Sequence, residues 1–151
     1  IQAKTAHLVR LAGRSLLMAA DSNALEPRMY QHLSELVGPL DALYLGMECE
    51  GGPMSWMYGP LLSQPLPRKM DQSRRLNGSD SARATEILNH LNPKEVFIYA
   101  MGQEPWLRHV MVLQYDETAP QMIESNKFIE VCKGRGIPAA RPFLSMEQVL
   151  E

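Results

Sequence analysis

Apolar positions along the chain change period several times, and the changes mark out its elements. Thr5 to Leu11 and Arg14 to Ala20 alternate or run apolar on either side of Ala12-Gly13, which predicts a β-hairpin turning at the glycine. Asp21-Ser22-Asn23 follow, residue types able to cap a helix. From Glu26 to Val37 the spacing turns helical, with Met29, Leu33, Leu36 and Val37 on one face, until Gly38-Pro39 stops it. Ala42 to Met47 is a short apolar strand suited to burial on both faces. It runs into Glu48-Cys49-Glu50-Gly51-Gly52-Pro53, a chain-turning acidic loop.

Met54 to Pro67 carries Trp56, Tyr58 and several prolines and glycines, and reads as an ordered functional loop or short helical turns rather than a linker. Arg68 to Asn77 is polar and reads as helical. Ser79-Asp80-Ser81 opens an amphipathic helix through Leu91, with Ala84, Ile87, Leu88 and Leu91 inward and Asn92-Pro93 at its end. Glu95 to Met101 is the strongest buried strand, and Gly102-Gln103-Glu104-Pro105-Trp106 is its exit. After Ala119-Pro120 a last helix spans Gln121 to Lys133, with Met122, Ile123, Phe128, Ile129 and Cys132 inward. Ile137 to Phe143 reads as a short final extended segment.

Strands alternating with helices predict an α/β sheet with helices packed on it and right-handed crossovers. Chemistry in such folds gathers in the loops at strand ends. Three loops qualify: Asp21-Ser22-Asn23, Glu48 to Pro53, and Gly102 to Trp106.

Composition adds mainly exclusions. At 151 residues, 45% hydrophobic and 21% charged, the chain has the size and make-up of one globular domain. With 15 basic and 17 acidic residues the net charge is −2, which gives no electrostatic case for nucleic acid or an acidic membrane surface. No apolar run approaches the roughly 20 residues of a spanning helix, and no signal peptide is evident. Cys49 and Cys132 match no zinc spacing, so a reduced, cytoplasmic chain is expected. Ten methionines read as adaptable core filler. The chain opens on Ile1 just ahead of a strand and is expected to be a piece of something longer.

Asp21 is the candidate of most interest. A strand fixes the position of a carboxylate at its end, and the open rim leaves room for a metal ion; the competing role is to N-cap the next helix. Glu48 is either a substrate-facing group or a solvated loop carboxylate. Cys49 has no basic neighbour in sequence to activate it. Trp56 and Tyr58 either wall a pocket or form a satellite core, and Glu104 with Trp106 sits at a strand exit suited to a pocket. Arg68, Lys69, Arg74 and Arg75 read as a solvated helix face. Phosphate-binding glycine loops and Gly-x-Ser-x-Gly elbows are absent.

The run Ala6-His7-Leu8-Val9-Arg10-Leu11-Ala12-Gly13-Arg14-Ser15-Leu16-Leu17-Met18-Ala19-Ala20-Asp21-Ser22, with the helix-strand-helix-strand order behind it, resembles the C-terminal half of a metallo-β-lactamase-fold protein. Gly46 to Pro53 and Tyr99 to Trp106 further resemble the branch associated with peptide synthetases, which includes a dinuclear-iron β-hydroxylase. The resemblance implies half of an αββα sandwich, a mixed sheet with helices packed on it, in which Asp21 bridges a dinuclear zinc or iron site. The implied activity is that of a metal-dependent hydrolase or oxygenase. Two departures stand out. The family's His-x-His-x-Asp-His motif is missing, since His7, His32, His90 and His109 are scattered. The strand end where the family carries a last histidine ligand holds Tyr99, Ala100 and Met101, and Glu104 is the nearest substitute.

The expected partner is therefore a missing N-terminal half or a partner chain bearing the histidines, with homo-oligomerisation as another way to cover an exposed apolar sheet face. The piece alone could hold no metal at all. The alternative function is a non-catalytic interaction module that keeps the fold, has lost the metal site, and docks a protein through the aromatic loop. A third reading is an unrelated doubly wound α/β domain.

Overall fold

The computed structural model describes residues 5–53, 55, 59–67, 69–71, 73–75, 78–101, 103, 105, 109 and 116–142. Its elements are β1 (His7–Leu11), β2 (Arg14–Ala19), α1 (Pro27–Val37), β3 (Ala42–Gly46), β4 (Glu50–Pro53), a 3-10 turn (Gly59–Leu61), β5 (Ser73–Arg75), α2 (Ser81–Leu91), β6 (Glu95–Tyr99), α3 (Pro120–Gly134) and β7 (Ala139–Ala140). Five strands form one mixed sheet in the order β1-β2-β3-β6-β7, and β4 pairs with β5 apart from it. The β1–β2 hairpin is antiparallel; every other pairing in the main sheet is parallel.

From β2 to β7 the order advances in one direction without reversing. Crossovers of a single hand then place every connecting helix on the same face. The core agrees: Leu17, Ala19, Leu43, Leu45, Val96 and Ile98 pack on Tyr30, Ala84, Ile87, Leu88, Phe128 and Cys132 from the three helices. A doubly wound sheet needs a reversal of strand order with helices on both faces, so the third reading fails. The architecture is α/β, a mixed sheet with helices on it, consistent with half of a sandwich.

Strand periodicity assigns the other face. Val9 and Leu11 of β1, Leu16 and Met18 of β2, Tyr44 of β3 and Phe97 and Tyr99 of β6 point away from the helices. Phe97 is buried there and stacks on Tyr44 with centroids 4.8 Å apart. Leu11 stays 72% exposed, and Val9 and Met18 are exposed as well.

Helix boundaries follow their local chemistry. Pro27 at the first turn fixes where α1 begins, and Glu26 caps it by accepting the Arg28 amide. Asp80 caps α2 by accepting from the Arg83 amide, and Asn92 ends it in the left-handed region. Ala84, Ile87, Leu88 and Leu91 are buried as the spacing predicts. The other two helices are rotated from expectation. In α1, Tyr30 is the buried residue with Leu33 and Val37 against the core, while Met29 and Leu36 are exposed. In α3, Met122, Ser125, Phe128 and Cys132 turn inward and Ile123, on the far side, is exposed. At about 100° per residue Ile123 lies nearly opposite Ser125, so its apolar character does not decide its side.

Two further expectations change. Residues 73–75, read as part of a helix, form β5, and the second half of the acidic loop is its partner β4. The final extended segment contracts to Ala139–Ala140 among the described residues.

Candidate functional site

Residues that follow β2, β3 and β6 converge on one rim, at the C-terminal ends of the parallel strands. Asp21 comes two residues after the end of β2 and is exposed. It does not cap α1, a role that belongs to Glu26 five residues later. The capping alternative therefore falls, and Asp21 stands at the mouth of the sheet.

Backbone contacts of unusual closeness fix the chain around it. A Cβ on Gly46 would stand 1.8 Å from the Ala20 carbonyl oxygen. One on Gly78 would meet the Glu48 nitrogen and the Gly46 oxygen, both at 2.8 Å. Hydrogen bonds complete the junction. Gly78 N–H donates to the Glu48 carbonyl and Ser79 N–H to the Gly46 carbonyl, each at 3.1 Å. The fully buried Ser79 hydroxyl donates to the Ser22 carbonyl at 2.7 Å. Segments 20–22, 46–48 and 78–79 thus interlock beneath Asp21.

Glu48 is half-buried on this rim, just past the fully buried Met47, so the structure brings the two candidate carboxylates to the same end of the sheet. Tyr99 lies opposite Gly46 in register and meets Tyr44 edge-on at 6.0 Å. Burial pushes its phenol pKa up, and the negative charge of Asp21 adds to the shift. The next residue, Ala100, holds a left-handed φ of 54°, an uncommon conformation for a side-chain-bearing residue and one that gathers at functional sites. Beside Asp21, a cavity of about 310 Å³ opens between the hairpin and α1, lined by Leu17, Asn23, Met29, Tyr30 and Leu33 among others.

Trp56, Tyr58, Glu104 and Trp106 lie outside the described residues. Ser55, at the head of the aromatic loop, is tied to Asp71: its amide donates to Asp71 Oδ1 at 2.7 Å and its hydroxyl to Oδ2. His109 is exposed, and among the described residues no group of three or more His, Cys, Asp or Glu could hold a metal ion. Chemically, the Asp21 carboxylate is a hard oxygen donor at an open strand end, a type of group that iron accepts as a ligand. By itself it is only part of a ligand set.

A larger cavity, about 570 Å³, lies at the opposite end of the sheet between Arg10, Arg14, Asp41 and Lys94. Asp41 is a structural pin there, accepting from Lys94 Nζ at 2.7 Å, the Ser15 amide at 2.8 Å and Arg14 Nη1 at 3.2 Å. These donors, Lys94 first, hold its carboxyl pKa down at about 2.

Sequence reasoning did not single out Gly46, Gly78, Ser79 or Asp41. A glycine inside an apolar strand was the available signal for a close backbone approach at residue 46. Ser79 reads in sequence only as part of a helix start.

No protein-family model matches the chain. It is 46% identical over 141 residues to a Streptomyces venezuelae protein named 4-amino-L-phenylalanyl-[CmlP-peptidyl-carrier-protein] 3-hydroxylase, a match covering 93% of this chain and 26% of that protein. The crystal structure of CmlA, a diiron β-hydroxylase from Streptomyces venezuelae, superposes with a TM-score of 0.81 at 45% identity, over 93% of this chain and 27% of that one. A glutamate-to-aspartate variant of the CmlA β-hydroxylase gives 0.77 at 44% identity. The chain thus spans about a quarter of the length of the relatives it matches. Those proteins are named as hydroxylases, and CmlA as a diiron one; none of the names points to zinc or hydrolysis. By sequence and by structure, the chain is similar to a segment of a diiron β-hydroxylase, and its mixed α/β sheet is consistent with half of a metallo-β-lactamase-fold domain.

Proposed function

We propose that this chain is the Asp21-bearing part of a metal-dependent oxygenase domain and lends that carboxylate to a dinuclear iron site. The observation that carries the reading is the position of Asp21, exposed at the end of a parallel strand, released from helix capping, with its flanking backbone locked at residues 46 and 79. A carboxylate in that place can span two cations through its two oxygens and lower their mutual repulsion. Bound there, iron supplies oxygen activation. The chain's own residues do the rest. Asp21 would hold the metal, Tyr99 presents a phenol that burial keeps protonated near neutral pH, and Glu48 lies on the same rim. Further ligands would come from protein outside this chain, an N-terminal half or a partner. By analogy with the relative's name, the substrate is an aminoacyl group held on a peptidyl carrier protein, hydroxylated at carbon 3.

The test is elemental analysis of the natively purified chain, alone and with any protein that co-purifies, beside Asp21→Ala. Near-stoichiometric iron that disappears in the variant is the expected result. Iron unchanged in Asp21→Ala, or absent from every preparation including the complete protein, overturns the reading. The second outcome would favour a docking module that keeps the fold without the metal.

A further inference from the structure

The end of the sheet opposite Asp21 carries a group of charges that the oxygenase reading does not use. The hollow of about 570 Å³ there is lined by three cations, Arg10, Arg14 and Lys94, and by one carboxylate, Asp41. Glu95 follows Lys94 in sequence and does not line it. Three cations against one carboxylate leave a local surplus of two positive charges. The chain as a whole carries −2, so the surplus is a local concentration and not the mark of a basic protein. The C-terminal end of α1 offsets a fraction of it, and Arg10 already answers that end by donating from Nη2 to the Val37 carbonyl at 2.7 Å.

The cations stand in front of the carboxylate. The Asp41 side chain keeps 12% of its surface, whereas Arg14 keeps 35% and Lys94 64%, and Arg10 is exposed. An approaching anion therefore meets guanidinium and ammonium groups before the carboxylate behind them. Each cation is also pinned by a hydrogen bond, Arg10 to Val37 and both Arg14 and Lys94 to Asp41. A guanidinium has five N–H donors and an ammonium three, so these bonds leave donors over on all three side chains. Side chains already held in place lose less freedom when a ligand arrives. Leu11, Val37 and Pro39 complete the lining and give the hollow an apolar wall beside its charged one.

We propose that this hollow binds a small phosphate-bearing molecule, its phosphate held by Arg10, Arg14 and Lys94 and its organic part against Leu11, Val37 and Pro39. A phosphate monoester carries about −1.5 to −2 charges near pH 7, which matches the surplus. Two guanidinium forks can each grip a pair of phosphate oxygens, and Lys94 adds a point charge. The volume falls in the range of about 300–1,000 Å³ usual for small-molecule sites, more than a phosphate group alone would fill. The six residues of β2 separate the hollow from the Asp21 rim by about 20 Å. The site is therefore distinct from the rim, and the inference does not rest on the iron reading.

The test is isothermal titration calorimetry on the complete protein that carries this chain, at fixed ionic strength, with inorganic phosphate and adenosine monophosphate as probes. Saturable binding of both is expected, with the nucleotide tighter because it also reaches the apolar wall. Arg10→Gln removes a cation that takes no part in the Asp41 cluster, and it should weaken both probes about tenfold, the worth of roughly one charge-assisted hydrogen bond. Asp41→Asn should bind them several-fold more tightly, since Arg14 and Lys94 lose their competing carboxylate. A purely structural role for the cluster predicts the reverse. Lys133→Gln makes the same charge change as Arg10→Gln on the exposed end of α3 and should match the parent. If Asp41→Asn does not fold, Lys94→Met takes its place and should weaken binding as Arg10→Gln does. No saturable binding of either probe overturns the proposal. So does binding that Arg10→Gln leaves unchanged, as phosphate held at an iron site would be, or equal weakening in Lys133→Gln. Uptake of inorganic phosphate with the nucleotide excluded overturns it too, because the hollow would then admit an ion and no organic group.

Discussion

The Ala20 carbonyl oxygen lies 1.8 Å from the point where a Cβ on residue 46 would stand. The obstructing atom is backbone at a strand end, which cannot swing aside as a long side chain can. Gly46→Ala must therefore push β2 and β3 apart at the rim. Overpacking of this kind costs about 1–3 kcal/mol, and here the displacement falls next to Asp21. The expected outcome is a lower urea midpoint with the unfolding slope unchanged, together with weaker iron retention in the complete protein. An unchanged midpoint would mean that the two strands part at no cost.

Asp41 ties together the starts of β2, β3 and β6, and its carboxyl pKa of about 2 lies below the ordinary 3.8. A carboxylate lowered in the folded state contributes stability that is present above its unfolded value and lost as pH falls through the folded one. Asp41→Asn should therefore be less stable than the parent at pH 7. The gap should narrow as pH drops from about 4 toward 2, where the parent's own carboxyl takes up a proton. Urea midpoints of both proteins at pH 7 and pH 3 measure this, and comparing the two removes contributions from other carboxylates. A gap as wide at pH 3 as at pH 7 contradicts the assignment.

Much of the fold was legible because periodicity is a local signal. The spans expected at 26–37, 81–91 and 121–133 correspond to α1, α2 and α3 within a residue or so at each end. What was missed depended on partners distant in sequence. Asp41 sits inside an apolar run, and a buried carboxylate there demands donors. Those donors, Arg14 and Lys94, are 27 and 53 residues away, and no spacing rule pairs them. β5 carries Ser73, Arg74 and Arg75, without an apolar alternation to mark it, and exists by pairing with β4. Asp21 looked like a cap because Asp-Ser-Asn is capping chemistry, yet Pro27 sets the helix start and leaves that role to Glu26. The site was legible as one carboxylate at a strand end. The junction that holds it was not, since glycines and a buried serine announce nothing until the three segments meet.

The two cysteines differ in environment, and a thiol reagent should tell them apart. Cys132 is fully buried in the core, and burial pushes its thiol pKa up to about 11. Cys49 is half-buried at the rim. Only the thiolate reacts, so at pH 8 the folded protein should show one reactive thiol, Cys49, and a second only in denaturant. Cys49→Ser should leave the native protein nearly unreactive. Two thiols reacting at equal rates in the native state would contradict the packing of α3 on the sheet.

The sheet face opposite the helices carries exposed Val9, Leu11 and Met18 beside half-buried Leu16, Tyr44 and Tyr99. Strand alternation places all of them on one side, so the exposure forms a surface and not scattered points. Fully burying one such side chain is worth about 1.5–3 kcal/mol, and contiguous apolar patches of this kind mark interaction surfaces. The 151-residue chain purified alone is therefore expected to self-associate or to retain a partner in light scattering. Val9→Glu with Met18→Lys places charges on adjacent strands of that face without touching the helix-side core. The pair should shift the chain toward monomer while the far-ultraviolet circular dichroism stays the same. If the unmodified chain is already a monodisperse monomer, the face needs no cover and the proposed missing half or partner chain loses its structural motive.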